Sequence, residues 1–345
     1  MHLHIRADAD EKIGAGHIMR CIAFAQAWKD QGGEVTFISH CESGALKERI
    51  QSEGFRLVAI DHVYPDSSDL TNTLAILKSE SADQKHWLVL DGYHFTPEYQ
   101  NAIRDERYRV MVIDDTNHLS HYHADILLNQ NIHAPDLNYH CDENTTLLMG
   151  TRYVLLRREF LNYRDFNRQI PGRAKNILVT LGGADPDNVT LKVVGALKLL
   201  DEQDVAVRII IGPANPHQEP LRKAIVSADF KAELLINPPN MPELMAWADL
   251  AISAGGSTCW ELAFMGVPSI VLILAANQAA VAEYLMNKET VVNLGWFADS
   301  SEEDIRHACK SLMHDNISRK YLSEQSRMLI GCVGFHRSSL RVEPG

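Results

Sequence analysis

The sequence has no paired cysteines, no long apolar run and no surplus of positive charge. Its six cysteines (Cys21, Cys41, Cys141, Cys259, Cys309 and Cys332) stand singly, with no C-x-x-C among them. In a chain of 345 residues this argues for reduced thiols, against a disulfide framework and against structural zinc. No stretch of about eighteen apolar residues occurs, so no membrane span is expected. The first residues lack the basic-then-apolar pattern of a secretory signal, and a cytoplasmic location is expected. A net charge of −12 argues against general nucleic-acid affinity. An anionic ligand therefore needs a site built locally, from helix N-termini and a few arginines.

What is present is ordinary globular sequence, 46% hydrophobic and 23% charged, long enough for two cores. Near its start, Leu3–Ala7 alternates like a strand. Gly14-Ala15-Gly16-His17-Ile18-Met19-Arg20 follows and opens a helical pattern through Trp28. This is a strand–glycine turn–helix junction. Glycine tolerates positive φ and lets backbone approach a ligand. The helix start presents free N–H groups with the positive end of the dipole behind them. His17 lies in that turn, where an imidazole is expected to stay neutral. It is the side chain suited to proton transfer near neutral pH. On spacing alone a capping or packed histidine is an equal reading. As a dinucleotide fingerprint the turn is weak. Met19 replaces the third glycine, and no acid stands clearly about 20 residues further on.

The rest of the chain alternates strands and helices. Val35–Ser39, Leu57–Ile60, Trp87–Asp91, Val110–Ile113 and Asp125–Asn129 read as strands. Ser43–Glu53, Leu70–Lys78 and Pro97–Arg104 read as helices. Such βαβ repetition gives a mostly parallel sheet with helices on both faces, and ligands then sit at the carboxyl ends of strands. His17, Asp91, Tyr93 and Asp114 fall there. An Arg- and Tyr-rich stretch from Met149 to Arg173 breaks the rhythm and ends in Pro171-Gly172, read as an interdomain linker. A second series follows. Asn176–Leu181, Val205–Ile211, Glu233–Ile236, Leu250–Ser253 and Val267–Ile273 are strands, Asn188–Leu200 and Pro242–Ala248 helices, and two helical segments close the chain. The expected organisation is an N-terminal α/β domain over 1–150, a connecting segment 151–173, a C-terminal α/β domain over 174–330 and a tail 331–345. Two doubly wound, Rossmann-like domains then face each other across a cleft.

Gly182-Gly183-Ala184-Asp185 is one glycine turn of the second series. The other, Ala254-Gly255-Gly256-Ser257-Thr258 followed by Glu261, resembles the donor site of nucleotide-sugar enzymes of the GT-B architecture. There the turn amides meet a diphosphate and the glutamate meets ribose hydroxyls. The physics fits: Ser257 or Thr258 is placed to cap the helix, the dipole favours an anion, and a carboxylate accepts two hydroxyls. Arg6-Ala7-Asp8, the His17 turn, Asp91-Gly92-Tyr93, Ile113-Asp114-Asp115, Asp125–Asn129, Tyr153–Phe160, both glycine turns and Asn277-Gln278 together resemble one family. It is the UDP-sugar hydrolase family of pseudaminic acid biosynthesis, and the resemblance runs from residue 3 to roughly 300. The tail beyond about Leu329 matches it poorly.

The resemblance implies hydrolysis of UDP-2,4-diacetamido-2,4,6-trideoxy-β-L-altropyranose, with His17 as catalytic base. It implies substrate contacts from Gly14, Gly16, Arg20, Asp91, Tyr93, Arg157, Gly255, Gly256, Ser257, Thr258, Glu261, Asn277 and Gln278. Water attacks the anomeric carbon with inversion and UDP leaves. No cofactor and no metal is implied. The histidines of Asn117–His123 lack the flanking acid and fixed spacing of known zinc motifs, and read as a polar surface loop. A glycosyltransferase on the same scaffold and a non-catalytic nucleotide-sugar binding module are the alternatives. Neither partner proteins nor a membrane surface is indicated.

Overall fold

The computed structural model describes residues 1–10, 13–79, 86–202, 204–213 and 215–330. The tail 331–345, including Cys332, lies outside the described residues. In the first half, strands β1 (His2–Ala7), β2 (Glu34–Ser39), β3 (Arg56–Ala59), β4 (His86–Asp91), β5 (Arg109–Ile113), β6 (Ile126–Asn129) and β7 (Thr146–Met149) alternate with four helices. These are α1 (Gly16–Asp30), α2 (Gly44–Ser52), α3 (Ser67–Ser79) and α4 (Pro97–Asp105). The strands form one parallel sheet in the order β3-β2-β1-β4-β5-β6-β7. A short helix, α5 (Arg158–Leu161), stands between the halves.

The second half repeats the plan. Strands β8 (Asn176–Thr180), β9 (Ala206–Ile211), β10 (Lys231–Ile236), β11 (Leu250–Ala254), β12 (Ser269–Ile273) and β13 (Val292–Trp296) form a parallel sheet in the order β10-β9-β8-β11-β12-β13. Its helices are α6 (Val189–Lys198), α7 (Gln218–Val226), α8 (Met241–Trp247), α9 (Thr258–Phe264), α10 (Ala276–Asn287), α11 (Glu302–His314) and α12 (Asn316–Ile330). Strands covered on both faces need continuous apolar sequence, and β11 and β12 are buried along their whole length.

In each sheet the strand order reverses between the first strand and its later neighbour: β1 beside β4, β8 beside β11. The crevice at such a switch point is where ligands bind in doubly wound sheets. Ala7 is level with Asp91 there, and Thr180 is level with Ser253. Both glycine turns therefore leave the sheets at switch points.

Three elements differ from the sequence reading. Strand β7, helix α7 and strand β13 were not expected, and among the described residues three helices rather than two follow residue 275. Thr146-Leu147 at the edge of the first sheet is exposed. Of α7 only Leu221 is buried, and β13 carries Gly295 at φ +74°. None of the three has the apolar run or clean period that marks a core element.

The two cores are spliced over three residues. Leu155 packs into the core of the first sheet with Ile5 and Ile18. Val154 and Leu156 pack into the second with Trp260 and Val271. Extended backbone turns successive side chains to opposite sides, so one short segment serves both cores. The crossing thus occurs ahead of Pro171-Gly172. Beyond it, Phe160 already belongs to the second core, and Arg168 donates to the carbonyls of Met245, Ala248 and Met265. Arg168 satisfies helix-end oxygens, a role the sequence did not suggest for that stretch.

A buried ion cluster anchors the first sheet. Arg6, fully buried within β1, pairs with Asp8 and Asp69, and Tyr99 donates to Asp69 at 2.8 Å. Removing one partner of such a pair strands the other charge and costs about 3–5 kcal/mol. This accounts for the Arg6-Ala7-Asp8 sequence as scaffold: Asp8 also accepts from His40 N at 2.7 Å.

Candidate functional site

The site begins at the turn after β1. Gly14 has φ +74°, which only glycine adopts without strain. Gly16 does not share that need. It opens α1, and a Cβ there would meet nothing within 4 Å, so it leaves open space beside the helix start. Ala15 at the N-cap offers no side-chain cap.

His17 follows, mostly buried. Its Nδ1 lies 2.6 Å from Asp91 Oδ1 at the end of β4. Nε2 makes no hydrogen bond to any described residue. Arg20, one turn further along α1, donates to both oxygens of Asp91 (2.6 and 2.6 Å) and both of Asp115 (2.8 and 2.7 Å). Asp115 also accepts from Asn131 Nδ2 at 2.7 Å and from the Tyr93 hydroxyl at 2.8 Å. The Tyr93 ring stands edge-on to His17, centroids 5.1 Å apart. Asn277, on α10 of the second half, donates to the Tyr93 hydroxyl at 3.1 Å. One hydrogen-bonded chain thus runs from His17 through Asp91, Arg20, Asp115 and Tyr93 to Asn277, and it bridges the cleft.

The electrostatics of the chain follow from burial and pairing. Burial alone would raise the Asp91 carboxyl, but Arg20 and His17 outweigh it and hold that carboxyl well below its usual range. Burial opposes the Arg20 charge, and Asp115 and Asp91 more than offset it, keeping Arg20 cationic. Burial and the Asp115 carboxylate push the Tyr93 phenol up, so it stays a donor. Asp91 also adds negative charge against the His17 ring, opposing the helix-start field expected from sequence.

Across the cleft, Gly255 is buried and close-packed. A Cβ there would come within 3.2 Å of Gln278 and 3.4 Å of Ala282, so a side chain would push α10 away. Gly256 is more open. Ser257 is exposed and already helical (φ −58°, ψ −23°), with no side-chain cap bond. The capping expected from Ser257 or Thr258 does not occur, because Thr258 lies inside the first helical turn. Gln278 turns its side chain to the loop, Oε1 accepting from Leu274 N at 3.0 Å. That bond braces the turn. Glu261 is paired with Arg157, Nη2 to Oε1 at 2.9 Å, and Arg157 also meets Glu159 at 3.1 Å. Burial raises the Glu261 carboxyl, with Arg157 opposing.

The structure therefore joins His17, Arg20, Asp91, Tyr93 and Asn277 in one cluster, and Arg157 with Glu261 in another. Asp115 and Asn131 complete the first and were not singled out from sequence. The signals for Asp115 were its place after β5 and its part in the Ile113-Asp114-Asp115 motif. Asp114, its neighbour, points elsewhere: it accepts from Tyr139 at 2.7 Å and from Asn117 N at 2.6 Å, and meets His118. It shapes the loop and leaves the cleft to Asp115.

Comparison with known proteins bears on the fold and on the class of relatives. Residues 176–328 match the glycosyltransferase family 28 C-terminal domain. The chain is 27% identical over 318 residues to MJ1062, an uncharacterized protein of Methanocaldococcus jannaschii, covering 88% of this chain. It spans 63% of that longer relative's length. It is 24% identical to the UDP-2,4-diacetamido-2,4,6-trideoxy-β-L-altropyranose hydrolase of Campylobacter jejuni, over 88% of this chain and 98% of that one. Among solved structures, MurG of Acinetobacter baumannii superposes with a TM-score of 0.62 at 16% identity, over 95% of this chain and 94% of that one. The chain has the GT-B architecture: two parallel-sheet, Rossmann-like halves, with a C-terminal half that matches the glycosyltransferase family 28 C-terminal domain.

Proposed function

We propose that the protein hydrolyses a UDP-activated diacetamido-trideoxy sugar of the altropyranose type, releasing UDP and the free sugar. The observation that carries the reading is the 2.6 Å contact between His17 Nδ1 and Asp91. With Nδ1–H donated to Asp91, Nε2 is left as a lone-pair base facing no described partner. A carboxylate in this position fixes the tautomer and stabilises the imidazolium as it forms. The likeness to the Campylobacter jejuni hydrolase supports the substrate class.

A water oxygen forms a bond to the anomeric carbon as the bond from that carbon to the diphosphate oxygen breaks. The water proton goes to His17 Nε2, and the electron pair leaves with UDP. One displacement inverts the anomeric centre. The leaving diphosphate needs charge stabilisation rather than a strong acid, and the reading uses no metal. The open turn at Gly256–Thr258 faces the diphosphate, Glu261 and Arg157 the nucleoside. Tyr93 and Asn277 meet the sugar, and the Arg20 network holds His17 in place.

A glycosyltransferase on the same scaffold is the second reading, favoured by the family 28 match. Incubating the protein with the UDP-sugar and no acceptor separates the two. Free UDP accumulating with free sugar, turnover after turnover, is the expected result. No UDP without an added hydroxyl acceptor would give the transferase.

A further inference from the structure

The segment read from sequence as a polar loop lacks an acid of its own. The fold supplies one from elsewhere. Tyr122 forms a parallel bridge with Cys141, its N–H donating to His140 O at 2.8 Å. The Tyr122 side chain is fully buried. Extended backbone then turns its neighbours His121 and His123 together to the other side. Asp142, 19 residues beyond His123, arrives beside them on the bridged strand. Asp142 Oδ1 lies 2.9 Å from His121 Nε2 and 3.0 Å from His123 Nδ1. The donor atoms of the three residues all lie within 4.8 Å of one another. The two rings are 4.5 Å apart, centroid to centroid.

We propose that His121, His123 and Asp142 form a binding site for a divalent transition-metal ion of the Zn²⁺ class. Two imidazoles and one carboxylate suit that class, and three protein ligands leave positions for water. On a tetrahedral ion with bonds of about 2.0–2.1 Å, donor atoms sit roughly 3.4 Å apart. The donor atoms, all within 4.8 Å of one another, lie near that spacing. All three side chains are partly exposed, so an ion can enter from solvent. The surroundings hold the ligands. His123 N donates to Gln100 Oε1 at 2.8 Å. Arg104 engages Asp142 Oδ2 and leaves Oδ1 to the ion, an outer-shell contact of the kind that orients metal ligands. Arg104 also opposes the positive charge of the ion. Asp142 offsets that charge through its contact with Arg104.

The site lies at the other end of the sheet from the cleft. His123 precedes β6 and Asp142 precedes β7, so both stand before the amino ends of those strands. A bound ion there ties the loop after β5 to the segment before β7 and acts as a structural staple.

The test uses the full chain, stripped with chelator and titrated with Zn²⁺ by calorimetry and with Co²⁺ by visible absorption. The expected result is one site per chain, a Co²⁺ spectrum of low-symmetry coordination and a melting temperature that rises with Zn²⁺. His121→Gln and His123→Gln, both at partly exposed positions, should each weaken Zn²⁺ binding by more than roughly 100-fold, since even outer-shell partners cost about 10–100-fold. No binding by the wild-type chain, or unchanged binding in both variants, overturns the proposal. A variant that binds weakly but melts, metal-free, with the wild type confirms that the loss is of a ligand and not of the fold.

Discussion

The Asn277 amide of α10 donates to the Tyr93 hydroxyl at 3.1 Å, and the same hydroxyl donates to Asp115 at 2.8 Å. Tyr93 is thus a relay between the second half and the buried charge network of the first. Tyr93→Phe should raise KM and lower kcat/KM by roughly 10–150-fold, the worth of a hydrogen bond to a charged group. A double-mutant cycle with Asn277→Ala should give a coupling of about 0.5 kcal/mol or more. Strict additivity on kcat/KM would show that the contact does not persist in the working enzyme.

Asp91 is held below its usual range, so it contributes stability above the ordinary carboxylate pKa of about 3.9. That contribution is lost as pH falls through its folded value. Urea unfolding at pH 3 should give a markedly lower stability than at pH 6. The stability gap between the wild type and Asp91→Asn should shrink over the same interval. A constant gap would mean that the Asp91 carboxyl titrates alike in the folded and unfolded chains.

The same substitution tests the orientation of His17. Asparagine keeps the size of Asp91 but cannot stabilise an imidazolium in the same way. Turnover should fall by roughly 10²–10⁴-fold while UDP still binds. Loss of UDP binding in step with turnover would assign Asp91 a purely structural role.

Glu261 is paired with Arg157 across the cleft. Glu261→Ala should weaken UDP and UDP-sugar alike, because the proposed nucleoside contact would be the same before and after reaction. Calorimetry measures both. Unchanged UDP affinity would mean that Glu261 serves only to hold Arg157.

Much of this architecture was legible in the sequence, because parallel strands buried on both faces announce themselves as apolar runs. β4, β5 and β11 are of that kind. The glycine turns marked both switch points, and strand ends located His17, Asp91 and Tyr93. What was hidden depends on tertiary approach. Asp115 reaches Arg20 across 95 positions of sequence, and nothing local separates it from Asp114, which turns away. Asp142 meets His121 and His123 only through the Tyr122–Cys141 bridge. Gly255 looked like a ligand-facing glycine, and the structure adds a packing reason: α10 lies against it. β7 and β13 are held by pairing with one neighbour each, and edge position leaves little hydrophobic signature.

Hydrolysis at carbon with His17 as base is tested most directly by single-turnover reaction in H₂¹⁸O, wild type beside His17→Asn. The account predicts ¹⁸O in the sugar and none in the UDP. It predicts a rate about 10²–10⁴-fold lower in the variant, with fold and UDP affinity retained. Label in the UDP phosphate would place attack at phosphorus, and a His17→Asn enzyme of wild-type rate would remove the base. Either result would contradict the account.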